Sequence, residues 1–546
     1  MRARSLSILA VAAVSLLTGF FAAAAPAQAR PSPVIPRGWD ESVAYLVGAY
    51  HVTAAEAVRR LELQRIAPGL ADRLERGYPD AYGGMWLDQQ HGGVLVVAAT
   101  DPARLAAAVA GVPDAAHIRV VRVRHPRREL ERVAAALQRH LAAKTDSVTV
   151  DDVANQVVLR VARPATARLG VLARQLAAAP AGLVAVRPAV TGTPATCGQF
   201  ACDPPIRGGL QVEMFQGITD TGGGCTLGFN VRGSNGWAYT ITAGHCFAEN
   251  MANYTKHNGT WVGYLDTRTY HVGYPLDYAL NPFIVSGGTN YAAYWEPQGW
   301  VDDLNKLVTE YPISGMYSYS AIQKGWIACN TGAGKGTTLC GQVLDKDGGI
   351  HMSICSDPGD SGGPLYSEVD QKAYGIMWGT PSGEGPCPSG TSLYTALSNA
   401  LSDAQLHTGI SYSPKLADPI TSGISGKCID VNHAQQVDYT HVQIYSCNGT
   451  LAQRWSGLLR DGTLEWMDMC MDVYHGGTAN YTKVDIYTCN GTGAQHWTYN
   501  SSTQTLVNPQ SGKCLDDPGS SITDGTQLQI YTCDGAYAQR WMFSSS

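Results

Sequence analysis

The stretch Ser356-Asp-Pro-Gly-Asp-Ser361-Gly-Gly-Pro-Leu365 sets one serine among glycines and prolines. Those residue types also build ordinary turns, so the role of Ser361 depends on what else the chain supplies. A serine hydroxyl is a poor nucleophile at neutral pH and needs a base. Upstream, Thr242-Ala-Gly-His245-Cys246 follows the β-type run Trp237-Ala-Tyr-Thr-Ile241. Small residues there let a strand end and turn sharply, aiming the imidazole into a cleft, and Cys246 can pin the turn to Cys225 across the preceding strand pair. Base, staple and nucleophile loop together point to serine catalysis.

The imidazole then needs a carboxylate to fix its tautomer. Asp277 lies in the apolar stretch Tyr274-Pro-Leu-Asp-Tyr-Ala-Leu280, where a buried aspartate requires a partner. Asp266 sits in a polar, turn-like stretch and Asp302 beside a second aspartate, so Asp277 is the choice. Backbone N–H groups of Gly359 and Ser361 are placed to meet a developing oxyanion, which requires a tight bend with little side-chain bulk. Gly359-Asp-Ser361-Gly-Gly363 also satisfies the G-x-S-x-G elbow of lipases and esterases. That fold needs its Asp and His after the serine, in a parallel α/β sheet. Here the order is His245, Asp277, Ser361 and the surroundings read as all-β.

A chain of 546 residues is too long for a single core, and three or four domains are expected. The net charge of −6 gives no reason to expect a nucleic-acid partner. Residues 1–29 read as a secretion signal: Arg2 and Arg4, an apolar run from Leu6 to Phe21, then Ala27-Gln-Ala29. No later stretch is long and apolar enough to span a bilayer, so no membrane partner is expected. All fourteen cysteines lie at or after Cys197, and an even count in a secreted chain suggests seven disulfides. Residues 30–195 lack cysteine and mix helical periodicity, as in Ala54-Ala-Glu-Ala-Val-Arg-Arg-Leu-Glu-Leu63, with β-rich runs such as Gly93 to Ala99 and Asn155 to Val161. This reads as an α+β domain. Residues 196–412 are rich in Gly, Tyr and Thr with short strands between turns, and a helical stretch from Ser392 to Leu406 is expected to close them.

The segment 415–546 repeats itself. Cys428, Cys470 and Cys514 are each followed nineteen residues later by another cysteine, and eight residues beyond come Trp455, Trp497 and Trp541, each in Gln-x-Trp. Three copies at this period mean a threefold fold in which no copy buries a core alone, so the tryptophans are expected to meet near a common axis.

The motifs around His245, Asp277 and Ser361 resemble those of the chymotrypsin-like serine peptidases. Cys225-Thr-Leu-Gly-Phe-Asn-Val231, and Cys355 six residues before the serine, are similar to the actinobacterial branch with the streptogrisins and α-lytic protease. The resemblance implies two six-stranded β-barrels with the triad between them. It also implies disulfides Cys225–Cys246, Cys329–Cys340 and Cys355–Cys387, leaving Cys197–Cys202 as a local pair. Through the Leu46 to Leu63 helix pattern, Gly84-Met-Trp-Leu-Asp88 and Thr149-Val-Asp-Asp-Val-Ala-Asn-Gln-Val-Val-Leu159, residues 30–195 resemble that branch's removable propeptide. The enzyme would then begin near 190–206. One departure concerns the primary specificity pocket: where the family runs a Ser-Gly-Gly-like turn, this chain has Trp378-Gly-Thr380. Trp378 loses a hydroxyl near the buried aspartate and Thr380 narrows the pocket, which implies an uncharged, small or aliphatic residue before the cut.

The repeats resemble the ricin-type β-trefoil lectins. The resemblance implies disulfides Cys428–Cys447, Cys470–Cys489 and Cys514–Cys533, and sugar sites built from a Cys-x-Asp carboxylate, a glutamine on the next strand and an aromatic residue two positions later. These are Asp430, Gln443 and Tyr445 in the first repeat and Asp516, Gln529 and Tyr531 in the third. The second offers Asp472 and Tyr487, with Asp485 at the glutamine position. Gln453, Gln495 and Gln539 read as mainly structural, and Ala452, Ala494 and Ala538 stand where many family members carry asparagine.

The fold expected is mainly β: a chymotrypsin-like double barrel and a C-terminal trefoil, preceded by an α+β propeptide. The function expected is a secreted, monomeric serine endopeptidase that cuts protein or peptide substrates and is targeted to polysaccharide or glycoprotein by its lectin module. The chemistry calls for no metal and no cofactor. The alternative is a carbohydrate-binding protein with an inactive or highly restricted protease domain, favoured only by Trp378.

Overall fold

Strands carry more of the chain than helices in the computed structural model, which describes residues 35–36, 39–138, 147–161, 182–188, 192–194, 207–235, 237–257, 260–283, 300–302, 310–381, 390–414, 419–455, 462–466 and 469–543. The N-terminal domain is α+β. Helix Ala54–Gly77 starts where Thr53 accepts a hydrogen bond from the Glu56 N–H at 3.2 Å. Two three-stranded sheets follow. Tyr82–Asp88, Val94–Ala99 and Ile118–Arg122 form one, and Ser147–Asp151, Gln156–Val161 and Val184–Pro188 the other.

This domain docks through apolar surface. Leu63, Leu70 and Leu74 of the long helix share one buried cluster with Trp326, Ile350 and Tyr374 of the following domain. Within the contact, buried Gln64 clasps the backbone of Ile327, donating to its carbonyl at 2.9 Å and accepting from its N–H at 2.7 Å.

Two β-barrels follow. In the first, the sheet of Gln211–Gln216, Thr219–Thr226, Tyr254–His257 and Thr260–Tyr264 meets that of Phe229–Gly233, Ala238–Thr242, Tyr270–His271 and Tyr278–Pro282 through a bridge between Gly263 and Phe283. Strand Tyr412–Pro414 pairs onto Phe229–Gly233 at the edge. In the second, Lys372–Pro381, Pro364–Ser367, Ile327–Gly332, Thr337–Lys346, Ile350–Met352 and Ser392–Ala396 run in ladder order, and Ser392–Ala396 pairs back onto Lys372–Pro381, which closes the barrel. The helix expected from Ser392 is corrected here. Residues Ser392–Ala396 are a strand buried at every position, and the helix runs Leu397–Thr408. Burial on both faces of a closed barrel overrode the local helical composition.

The C-terminal quarter is a β-trefoil. Trp455, Trp497 and Trp541 lie in one buried cluster with Ile429, Met471 and Leu515. Each indole N–H donates to a strand carbonyl of its own repeat, at Ile429, Met471 and Leu515, over 3.0–3.1 Å. The tryptophans thus fill the core and satisfy their one polar atom.

Candidate functional site

Neighbouring strands bring the histidine and aspartate together. Strands Ala238–Thr242 and Tyr278–Pro282 are antiparallel with Thr242 opposite Ala279, so Asp277 and His245 project from adjoining strand ends. Gly244 is required between them: a Cβ there would fall 2.0 Å from the His271 carbonyl. The His245 Nδ1 lies 3.1 Å from Asp277 Oδ1, the same oxygen accepts the His245 backbone N–H at 3.1 Å, and His245 Nε2 lies 2.9 Å from Ser361 Oγ. All three side chains are buried. Asp277 Oδ2 accepts the Gly273 N–H at 2.8 Å, and the Asp277 N–H donates to Thr395 Oγ1 at 2.9 Å. The carboxylate therefore keeps three donors although Trp378 carries no hydroxyl.

The serine loop is braced from both barrels. Thr226 N–H donates to the Ser361 carbonyl at 2.8 Å and Thr226 Oγ1 to the Gly359 carbonyl at 2.6 Å. Gly359 and Gly362 have φ of 100° and 87°, which favours glycine. At Gly362 a Cβ would also fall 2.0 Å from Thr242 Oγ1. Beneath the loop lies an ion pair that sequence reasoning missed. Asp360 accepts Lys335 Nζ at 2.9 Å, the Lys335 N–H at 3.0 Å and the Asp357 N–H at 2.8 Å, while Lys335 Nζ also donates to Asn330 Oδ1 at 2.9 Å. The side chains are 3% and 0% exposed.

Trp378 is buried against Tyr274, ring centroids 5.1 Å apart, and Leu393. The next two residues form a sheet edge that is occupied: Gly379, Thr380 and Pro381 pair antiparallel with Pro194, Thr193 and Gly192. A segment of the N-terminal domain thus lies as an added strand beside Trp378. Cys225–Cys246, Cys329–Cys340, Cys428–Cys447, Cys470–Cys489 and Cys514–Cys533 are joined. Cys355 is disulfide-bonded. Cys197, Cys202 and Cys387 lie outside the described residues. Among the described residues, two groupings have metal-ligand types, Cys329 with Cys340 and Glu368, and Cys470 with Cys489 and Glu465. Their cysteines are disulfide-bonded and offer no thiolate.

In the trefoil the three carboxylates hold equivalent places. Asp430 faces Gln443, Asp472 faces Asp485, and Asp516 faces Gln529 across the same strand pair. Gln443 Nε2 donates to Asp430 at 2.9 Å and Gln529 Nε2 to Asp516 at 2.9 Å. Gln453 and Gln539 add a second bond to the same carboxylates, each at 3.1 Å. These glutamines orient the acids as well as the chain. In the second repeat, burial and the neighbouring Asp472 push Asp485 up to about 8, and burial raises Asp472 to about 6. Among the described residues, buried Asp485 Oδ1 has no hydrogen-bond partner. Asp430, Gln443 and Tyr445 open into a cleft of about 620 Å³ that is also lined by Trp39, Arg65 and Glu368.

Comparison with known proteins gives two matching family descriptions, "Alpha-lytic protease pro N-terminal" over residues 55–113 and "Ricin-type beta-trefoil lectin domain" over residues 418–541. Serine protease 1 of Rarobacter faecitabidus is 27% identical over 438 residues, 77% of this chain and 73% of that protein. Serine protease 2 of Streptomyces fradiae is 30% identical over 175 residues, 31% of this chain and 92% of that protein. A glucan endo-1,3-beta-glucosidase of Cellulosimicrobium cellulans is 61% identical over 94 residues, 17% of each chain.

Proposed function

The chain belongs to the chymotrypsin-like serine proteases, with an α-lytic-type pro domain and a ricin-type lectin domain, and from that premise we propose that it is an active endopeptidase delivered to polysaccharide-bound protein. The observation that carries this reading is the unbroken line of hydrogen bonds from Asp277 through His245 to Ser361. Ser361 Oγ attacks the scissile carbonyl while His245 Nε2 takes its proton. Asp277 holds the Nδ1–H and stabilises the imidazolium. The Gly359 and Ser361 N–H groups take the oxyanion. His245 then returns the proton to the leaving amine, and water attacks the acyl-enzyme by the same route in reverse. None of these steps calls for a metal or cofactor.

Substrate binds as a strand on the edge at Gly379 to Pro381, the edge that Gly192 to Pro194 occupies. That occupancy supports an inactive precursor whose pro segment ends near residue 195, with the protease over 196–412 and the lectin domain over 415–546. Trp378 and Thr380 restrict the residue before the cut to a small or aliphatic side chain. Among the described residues no helix is long and apolar enough to cross a membrane, which is compatible with export behind residues 1–29. The stretch shared with a glucan endo-1,3-beta-glucosidase makes β-1,3-glucan the first polysaccharide to test.

The test is Ser361→Ala in the full chain. Peptide hydrolysis should fall by on the order of a millionfold while polysaccharide retention persists. A variant keeping a tenth of the activity would remove Ser361 from the mechanism.

A further inference from the structure

At each junction between trefoil repeats, one backbone N–H holds an equivalent place. Tyr439 donates to the Ile486 carbonyl at 2.9 Å, Tyr481 to Ile530 at 2.9 Å, and Gly525 to Ile444 at 3.0 Å. The preceding residues match as well: Asp438, Asn480 and Asp524 accept the N–H groups of Thr488, Thr532 and Ser446 at 2.8, 3.0 and 2.6 Å. All three junction residues have left-handed backbone, with φ of 68°, 74° and 87°. Glycine takes that conformation freely, whereas a tyrosine there is strained.

The strain is not offset by burial. Tyr439 and Tyr481 are 43% and 64% exposed and neither belongs to the trefoil core. Their rings instead lie against the next repeat's aromatic residue, Tyr439 at 4.9 Å from Tyr487 and Tyr481 at 5.2 Å from Tyr531. Strained residues held on a surface are the kind retained for binding. Cys470 faces Tyr487 and Cys514 faces Tyr531 across the strand pairs that hold Asp472 and Asp516. The paired rings therefore adjoin the candidate carboxylates. At the first site the equivalent residue is Gly525, and Tyr445 has no such neighbour from the junction.

We propose that Tyr439 and Tyr481, each supplied by the preceding repeat, complete the second and third sugar sites by adding a second aromatic wall, inclined 57° and 55° to the rings of Tyr487 and Tyr531, against the apolar face of a pyranose ring in a neutral polysaccharide. The first site, with Gly525 in that place, is the weak one. This rests on the reading of the trefoil as sugar-binding. The second site, although it has Asp485 in place of a glutamine, carries the larger aromatic surface: Tyr474 also packs on Tyr439, ring centroids 5.6 Å apart.

The experiment uses the full chain carrying Ser361→Ala, which prevents self-digestion, and measures depletion onto insoluble β-1,3-glucan, xylan and galactan. Tyr439→Gly and Tyr481→Gly keep the backbone conformation and relieve its strain, so the trefoil should melt no lower than the parent. Each should weaken binding about three- to tenfold, the scale of one aromatic contact, and the pair should weaken it further. Tyr439→Trp and Tyr481→Trp should retain binding. Gly525→Tyr should strengthen it, since a Cβ there meets nothing nearer than Gln443 Oε1 at 3.8 Å. Glycine variants that bind as the parent does, or that melt well below it, would overturn the proposal. If instead Asp472→Ala with Asp516→Ala leaves retention of the parent unchanged, the sugar is held at the first site and the tyrosine proposal falls alone; if no polysaccharide holds the parent, the sugar reading itself falls and the tyrosine proposal with it.

Discussion

Removing the lysine beneath the serine loop should cost both stability and rate. In Lys335→Met the Asp360 carboxylate, 0% exposed, loses the one cation within bonding distance among the described residues, the Lys335 ammonium at 2.9 Å. Breaking a buried pair from one side costs about 3–5 kcal/mol, because the other charge stays desolvated. Asp360 would keep the backbone N–H groups of Lys335 and Asp357 at 3.0 and 2.8 Å, which argues for the lower end, about 3 kcal/mol. The loss should be local, since Asp360 adjoins Ser361 and Gly359. Hydrogen exchange at amides 357–363 should therefore speed up by roughly a hundredfold, and kcat/KM on a short peptide should fall at least tenfold. Adding Asp360→Asn should recover part of the stability by removing the stranded charge. If Lys335→Met exchanged as slowly as the parent and kept kcat/KM within twofold, the loop would not depend on this pair.

Three further outcomes are expected. The raised carboxyls at Asp472 and Asp485 keep protons in the folded state that the unfolded chain releases above about pH 4, so this contribution to stability is present below that pH and is lost as pH rises through about 6 to 8. Asp485→Gln, which restores the pairing of the other repeats, should flatten that fall and raise trefoil stability at pH 8 by ~1–3 kcal/mol; an unchanged melting profile between pH 5 and 9 would contradict it. Gln64→Leu should weaken docking of the pro domain by about 1–3 kcal/mol through loss of both bonds to Ile327, seen as a lower yield of active secreted enzyme, and a normal yield would argue against that contact guiding folding. Truncation after Pro414 should leave short-peptide turnover unchanged but reduce attack on glucan-bound protein; a cut after Thr408 would also remove Tyr412–Pro414, which pairs with the first barrel, and should lower activity itself.

What the sequence disclosed follows from how each feature is encoded. His245, Asp277 and Ser361 stand in short motifs whose small residues serve close backbone approach, as at Gly244 and Gly362. The trefoil repeats its cysteines and tryptophans at a fixed period. Lys335 carries no such mark: a lysine within Gly334-Lys-Gly336 reads as a solvated turn, and only the barrel's closure brings it to Asp360. The strand Ser392–Ala396 looked helical because its burial on both faces removes alternation. Tyr439 and Tyr481 were passed over because the contact that matters lies in the next repeat, and neither backbone conformation nor threefold adjacency is written in local composition.

The most direct test of the central claim is to treat the processed enzyme with phenylmethylsulfonyl fluoride and map the adduct by peptide mass spectrometry. Activation by the His245 and Asp277 line predicts one sulfonyl group, on Ser361, appearing in step with the loss of hydrolysis, and none on the His245→Ala variant under the same conditions. Full hydrolysis after treatment, an adduct on another serine, or equal labelling of His245→Ala would contradict it.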